Sequence, residues 1–98
     1  MIRHIVFFSV RQDQDIETVK RGLEQLATIP PHADLFEVLP NSKVDPMCDR
    51  IDLVVYAEFK DEEALLAFKK HPTYDATTQL VRPMRELRFS ADVVTDKG

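Results

Sequence analysis

A chain of 98 residues has room for one domain, and a domain of this size buries only about two thirds of its unfolded surface. Its apolar fraction of 44%, charged fraction of 31% and net charge of −4, with no basic run longer than Lys69-Lys70, are typical of a globular protein and exclude the basic footprint of a nucleic-acid-binding protein. The longest apolar run is too short to cross a bilayer, so no membrane partner is expected. A lone Cys48 excludes an internal disulfide. Together with an N-terminus unlike a signal peptide, it predicts a cytoplasmic protein.

The first part of the chain predicts a strand and a helix. Residues Ile2 to Val10 are rich in β-branched and aromatic side chains, as strands are. Asp15 is placed to cap a helix that ends before Pro30-Pro31, because proline disfavours helical geometry in the residue ahead of it. Gly22 inside this helix is either a close-packing position or a tolerated surface glycine. The apolar stripe of the helix comprises Ile16, Val19, Leu23 and Leu26.

The rest of the chain predicts three more strands and two helices. A short strand over Leu35 to Leu39 is followed by a long polar loop, residues 40–50, and by an apolar strand from Ile51 to Phe59. Asp61 caps a second helix that ends near His71, with acidic residues in its first turn and basic residues in its last. A short helix from Tyr74 to about Val81 and a strand from Leu87 to Val94 complete a single domain, residues 1–98, with a core over about 2–94 and a flexible tail over 95–98.

This order, strand-helix-strand twice over, predicts an α+β fold of the ferredoxin-like βαββαβ type. Its four-stranded antiparallel sheet has the spatial order 4-1-3-2 and carries the helices on one face. The central strands are apolar on both faces; in the first, Val6 and Phe8 oppose Ile5 and Phe7. Two main helices cover only one face, and leaving the other exposed forgoes ~1.5–3 kcal/mol for each large side chain. We therefore expect a homodimer that packs sheet against sheet as a dimeric α+β barrel; the alternative is a face that serves a lipid or another protein.

Three segments resemble the stress-responsive A/B-barrel (Dabb) family. They are the opening stretch IRHIVFF (residues 2–8), DEEAL (61–65) with the following His71-Pro72, and Val81-Arg82-Pro83 before the last strand. The resemblance covers about residues 2–94 and implies an α+β barrel dimer, in many members without an assigned activity and in some linked to stress responses. A plant branch contains polyketide cyclases, which close a linear poly-β-keto acid by an aldol reaction. That branch uses neither a metal nor an organic cofactor, so none is expected here.

The resemblance also implies a position for the pocket. In the plant cyclases a histidine matching His4 lines it, and the catalytic residue is the second histidine of a His-Pro-x-His motif. Here that motif begins at His71 and places Tyr74 at the catalytic position. The cyclase tyrosine that partners this histidine corresponds to Phe68, and a further pocket histidine corresponds to Leu53. The cyclases' acid/base pair is therefore missing.

The leading hypothesis is a Dabb-type protein that binds a small apolar or carbonyl-bearing molecule in a pocket of each subunit. His4 suits removal of a proton next to a carbonyl, and Tyr74 suits donation to the resulting enolate. Either residue alternatively serves as a satisfied, partly buried polar group. The predicted ligand-binding residues are Phe8, Leu53, Phe68, His71 and Val81.

Three other functions remain open. One is a cofactor-free, polyketide-cyclase-like lyase in which His4 and Tyr74 are catalytic. Another is a stress-linked interaction module without a ligand. The third is a haem-degrading monooxygenase of the kind found among other dimeric barrels, for which we expect no haem signal.

The remaining polar residues are interpreted as structural or solvated. The histidines lack the spacing of metal ligands, so no metal is expected. His71 is expected to place its charge at the end of the second helix, and His32 to be solvated. Arg82, Arg85 and Arg88 are interpreted as a solvated surface rather than an anion site, and the 40–50 loop as a segment that contacts a partner or a pocket.

Overall fold

The computed structural model describes residues 1–30 and 33–96, so His32 lies outside the described residues. Its antiparallel sheet holds the four strands in the spatial order second, third, first, fourth, which confirms the predicted ferredoxin-like α+β fold. Single 3-10 turns span Gln25–Thr28 and Pro46–Cys48. The strands and helices are β1 (Ile2–Val10), α1 (Ile16–Glu24), β2 (Leu35–Pro40), β3 (Leu53–Phe59), α2 (Glu62–Lys70), α3 (Pro72–Val81) and β4 (Arg85–Val94).

The helices begin where short polar side chains can accept backbone hydrogen bonds, with one exception. Asp61 caps α2, since its carboxylate accepts the N–H of Ala64 at 2.8 Å. Asp15 occupies the corresponding position of α1 but accepts the hydroxyl of Thr18 at 2.9 Å, and no backbone N–H. The predicted cap of α1 is therefore right in position and wrong in its bond. None of the described helices is both long and apolar enough to cross a membrane.

His71 joins α2 to α3. Its N–H donates to the carbonyl of Phe68 at 3.3 Å, and its ring Nδ1 accepts the N–H of Thr73 at 3.1 Å. His71 thus lies at the predicted end of α2, and its side chain caps the start of α3. Pro72 occupies the first position of α3, where its missing N–H is not needed, and the helix begins two residues earlier than predicted.

The three helices cover one face of the sheet and bury the core against it. Val6, Phe8, Leu53, Val55 and Phe59 of the sheet are all at most 5% exposed. They pack against apolar residues of the helices. These helical residues are Val19, Leu23, Leu65, Phe68 and Val81.

The opposite side of the sheet, called here the open face, keeps large apolar side chains accessible to solvent. Phe7 of β1 lies between Val54 of β3 and Phe89 of β4. The five exposed large apolar residues on this face are 38–58% accessible: Phe7, Leu35, Leu39, Phe89 and Val93. A contiguous apolar surface of this kind is typical of a protein-protein interface.

The polar residues of β4 point the other way, towards the helices. Register places Asp92 opposite His4, Ser90 opposite Val6 and Arg88 opposite Phe8. Directly opposed residues of two strands lie on the same face of a sheet. An edge strand therefore brings a carboxylate and a guanidinium to the border of the core.

The 40–50 loop is held by its own side chains and by Ile51 and Asp52, the two residues before β3. The amide of Asn41 donates to the carbonyls of Cys48 and Ile51, both at 2.8 Å. Lys43 pairs with Asp52 at 2.6 Å. The predicted contact of the 40–50 loop with a partner or a pocket stays a prediction. At the other end of the chain, Thr95 donates its N–H to Met1 at 3.0 Å, so order extends one residue into the predicted tail; Lys97 and Gly98 lie outside the described residues.

Replacing Gly22 by alanine is expected to raise the free energy of unfolding by about 0.5–1 kcal/mol, because alanine favours a helix more than glycine does. An added Cβ would lie 3.5 Å from Leu80 and 3.7 Å from Val81, which is ordinary van der Waals contact. Glycine is therefore not required for the packing of α1 on α3. Urea unfolding at fixed protein concentration measures the change, and a loss of stability would show that α1 has to approach α3 more closely.

Candidate functional site

A narrow cavity of about 40 Å³ lies between the helices and the sheet. Five of the predicted site residues line it: His4 and Phe8 from β1, Phe68 from α2, and Tyr74 and Val81 from α3. The other two do not. Leu53 is buried in the core outside the wall, and His71 lies between α2 and α3. The wall is mainly apolar, with polar groups at a few points.

His4 is fixed in this wall by a carboxylate. Its side chain is buried, and its Nδ1 lies 2.5 Å from Oδ1 of Asp92 on the paired strand. The other carboxylate oxygen lies 3.5 Å from Nζ of Lys69 on α2. The imidazole also meets the rings of Phe59 and Phe68 edge-on, at centroid distances of 6.2 and 6.4 Å. These contacts fix the orientation of the ring, and among the described residues its Nδ1 is the hydrogen-bonded nitrogen.

The environment sets the protonation of this pair. Burial lowers the pKa of His4, and the hydrogen bond to Asp92 offsets this only partly, while the charges of Lys69 and Arg88 lower it further. Burial alone would raise the pKa of Asp92, but its bonds and charge interactions with His4 and Lys69 make the net change a lowering. At neutral pH the pair is therefore a neutral imidazole that donates Nδ1–H to an ionised carboxylate. Its Nε2 keeps a free lone pair, the arrangement of an oriented general base.

Tyr74 contributes the second polar group. Its ring is half-buried and meets Phe68 edge-on at 5.4 Å. Among the described residues its hydroxyl makes no hydrogen bond, so the alternative of a hydroxyl tied to the backbone is wrong for the described chain. Thr77 and Thr78 place two further side chains in the wall one turn later on α3. The cavity thus offers a base at His4 and a hydrogen-bond donor at Tyr74.

Sequence reasoning missed Asp92 and misinterpreted two arginines. Asp92 is not among the predicted site residues, and Arg85 and Arg88 are predicted to form part of a solvated surface. Both arginines are half-buried and line the cavity, so the interpretation of these two is wrong. The signal was available: in the predicted strand order β4 pairs with β1, and an antiparallel register carries its polar residues to the His4 face. Within residues 1–30 and 33–96, no group of His, Cys, Asp and Glu side chains is arranged to hold a metal ion.

Comparison with known proteins agrees with this architecture. The family model for the stress responsive A/B barrel domain (Dabb) matches residues 2–95. The chain belongs to the Dabb family. The match spans every strand and helix described above, which confirms the predicted membership. A search of curated proteins found no match.

Solved structures share the fold of this Dabb domain. A dimeric ferredoxin-like protein of unknown function from Thermobifida fusca is 22% identical, with a TM-score of 0.82 over 96% of this chain and 90% of that one. A Dabb family protein from Mesorhizobium loti is 26% identical, with a TM-score of 0.75 over 96% and 95%. The hydroxynitrile lyase of Passiflora edulis is 16% identical, with a TM-score of 0.82 over 99% and 94%. At these identities the likeness establishes the fold.

The His4–Asp92 pair is expected to make the Dabb domain less stable in acid. Because the pKa of His4 is lowered from its ordinary 6.5, the unfolded chain binds more protons than the folded one as pH falls below that value. The contribution of His4 to the free energy of unfolding is therefore present above pH 6.5 and is lost towards lower pH. The lowered pKa of Asp92 adds a second loss of stability below its ordinary pKa of 3.8. One such proton changes the free energy of unfolding by up to about 1.4 kcal/mol per pH unit.

Urea unfolding between about pH 8 and pH 5 measures this dependence. The variant His4→Phe retains an aromatic ring but cannot titrate, so its stability is expected to fall less over the same range. Equal slopes in the two proteins would show that His4 does not titrate with a lowered pKa.

Proposed function

We propose that this Dabb domain binds a small, largely apolar, carbonyl-bearing molecule in the cavity of each subunit of a homodimer. The observation that carries the proposal is the buried His4, held by Asp92 in the wall of a mainly apolar cavity. Burying an imidazole beside a carboxylate costs free energy that an apolar residue would not. A binding function explains why these groups are found there.

The polar groups of the cavity match a carbonyl compound in particular. The hydroxyl of Tyr74 can donate to a carbonyl oxygen, whereas neutral His4 presents a lone pair at Nε2 and accepts instead. That lone pair suits the weakly acidic C–H beside a carbonyl. The cavity of about 40 Å³ has room for about three water molecules, so a larger ligand requires the half-buried Tyr74 or the neighbouring arginines to move outward.

The open face supports the homodimer. Its apolar side chains form one surface, and a second copy presents an identical surface about which a two-fold axis can pass. The Thermobifida fusca protein of the same fold is described as dimeric. A lipid or a different protein bound to the open face would contradict the proposed dimer.

Titration with acetophenone, monitored by two-dimensional NMR of the labelled protein, tests the binding function. We expect shifts confined to residues of the cavity. Replacing Tyr74 by phenylalanine is expected to weaken the binding of acetophenone by about two- to tenfold, the range for one hydrogen bond. Ethylbenzene has the same ring and no carbonyl, so we expect it to bind both proteins equally. Absence of binding by either compound would contradict the proposal and favour an interaction module without a ligand.

A second candidate function is a cofactor-free proton transfer, as in a lyase, and the His4–Asp92 hydrogen bond favours it. In this reaction Nε2 of His4 takes the proton of a carbon next to the carbonyl, and Tyr74 donates to the enolate oxygen that forms. A positioned base contributes typically about 10²–10⁴ in rate. A cyclase remains disfavoured, because Tyr74 and Phe68 replace the residues that the resemblance implies for the cyclases' acid/base pair.

Exchange of the acetophenone methyl protons in deuterated water measures this transfer directly. We expect the native protein to accelerate exchange, and His4→Phe to remove the acceleration while leaving the sheet and the oligomer intact. Asp92→Asn is expected to retain part of it, since it leaves His4 in place but without its charged partner. An unchanged rate in His4→Phe would dispose of the catalytic role.

We also infer a cytoplasmic location. Cys48 is half-buried and free, and a lone thiol of this kind suits a reducing compartment. Fractionation of cells that express the tagged protein would test this inference, and recovery from the secreted fraction would contradict it.

A further inference from the structure

A pair of arginines forms one end of the cavity. Arg85 and Arg88 both line it, although they are three residues apart and would point to opposite faces of a regular strand. A register irregularity between Ser9 and Val10 of β1 resolves this: Leu87 pairs with Ser9, but Arg85, not Glu86, pairs with Val10. Such a bulge re-aims a side chain, and here it brings both guanidinium groups to one wall.

No carboxylate neutralises this pair in the described part of the chain. The ion pairs of β4 there join Glu86 to Arg50, and Asp92 to His4 and Lys69. Within residues 1–30 and 33–96, the guanidinium of Arg88 donates to the hydroxyl of Ser90, at 3.4 Å. Burial lowers the pKa of Arg85, and the charges of Arg88 and Arg82 lower it further. The two like charges at one cavity wall repel each other, and an anion bound between them would offset that repulsion.

Building on the proposed function, we infer that the ligand is a carboxylic acid whose carboxylate is bound by Arg85 and Arg88. Two guanidinium forks match the planar, bidentate geometry of a carboxylate. The remaining walls of the cavity are mainly apolar, which favours a carboxylate attached to an apolar body over a free phosphate.

The arginine end and the histidine end of the cavity would contact different parts of one ligand. Arg88 lies opposite Phe8, and Asp92 lies opposite His4, which is four residues earlier on β1. Four residues of strand span about 13 Å, and the long arginine side chains shorten the distance between the charged groups. A ligand held by its carboxylate therefore extends an apolar body along β1 and presents its far end to Nε2 of His4.

Matched ligand pairs test the inference. Benzoate, phenylacetate and hexanoate are each compared with the corresponding neutral primary amide by NMR titration. In the native protein at least one carboxylate is expected to bind about tenfold or more tightly than its amide. In the double variant Arg85→Gln/Arg88→Gln this ratio is expected to fall to about one, because the apolar contacts remain and the charge is lost.

Arg82→Gln is the matched control. This residue is exposed and outside the cavity wall, so the carboxylate preference is expected to persist in the variant. Equal binding of acid and amide to the native protein would overturn the carboxylate site and leave the apolar pocket standing. An equal loss of preference in Arg82→Gln would also overturn it, since the effect would then be one of overall charge. If none of the carboxylates, the amides and acetophenone binds, the proposed binding function itself is contradicted. Circular dichroism of each variant verifies that it is folded.

Discussion

Replacing Phe68 by alanine is expected to lower the free energy of unfolding by about 3–5 kcal/mol, a large share of the stability of a domain of this size. The side chain is 1% exposed. Its ring contacts those of Phe59 at 5.0 Å, Tyr74 at 5.4 Å and Phe36 at 6.1 Å, so it joins α2 to α3 and to the sheet. Truncation would remove these contacts and leave a void beside the existing cavity, which the surrounding helices can fill only partly.

Leu66→Ala on the same helix is the control for this prediction. Leu66 is 47% exposed, and alanine is the better helix former, so the change is expected to stay within about 1 kcal/mol. Urea unfolding of both variants at one protein concentration is the measurement, because association contributes to apparent stability. Similar losses in the two variants would show that Phe68 is not the packing centre of the helical layer.

Replacing Phe89 by glutamate is expected to convert the proposed homodimer into a monomer of 11.3 kDa. Phe89 is 58% exposed on the open face, at the middle of the edge strand β4 and directly opposite Phe7. A two-fold axis through this face repeats every substitution, so the variant would bury two unpaired carboxylates in an apolar interface. We expect the dissociation constant to rise by at least about a hundredfold, since each buried charge costs several kcal/mol.

Light scattering during size-exclusion chromatography measures the mass, and Leu80→Glu provides the control. Leu80 is 57% exposed, but it lies on α3, on the helical side of the molecule. We expect that variant to elute as a dimer. A Phe89→Glu protein that remains dimeric would move the interface away from the open face.

The fold was largely predictable because its signals are local. The apolar runs of β1 and β3, the acidic start and basic end of α2, and the prolines at 30 and 72 each act on their own segments. Local details that depend on contacts between residues, such as the end of α1 and the hydrogen bond of its cap, were not predicted. The last turn of α1 is tightened to a 3-10 turn, and Asp15 bonds Thr18 instead of the backbone.

The site was predictable only where a residue lies on a face fixed by alternation. His4 shares its face with Val6 and Phe8, and the strand pattern alone assigns it to the core. Asp92 lies 88 residues away in sequence, and only the pairing of β4 with β1 brings it to His4. The two arginines depend in addition on a one-residue irregularity that no composition or periodicity indicates. Leu53 was placed in the pocket by family register, but it packs into the core instead.

The most direct test of the site is the protonation of His4 at neutral pH, measured by long-range ¹H–¹⁵N correlation NMR on the imidazole. The hydrogen bond to Asp92 and the lowered pKa of His4 predict a neutral ring with the proton on Nδ1 and a free lone pair on Nε2. Asp92→Asn is expected to shift the balance between the two tautomers. A charged imidazolium at neutral pH, or a proton on Nε2 of the neutral ring, would contradict the proposed base and with it the chemistry assigned to this cavity.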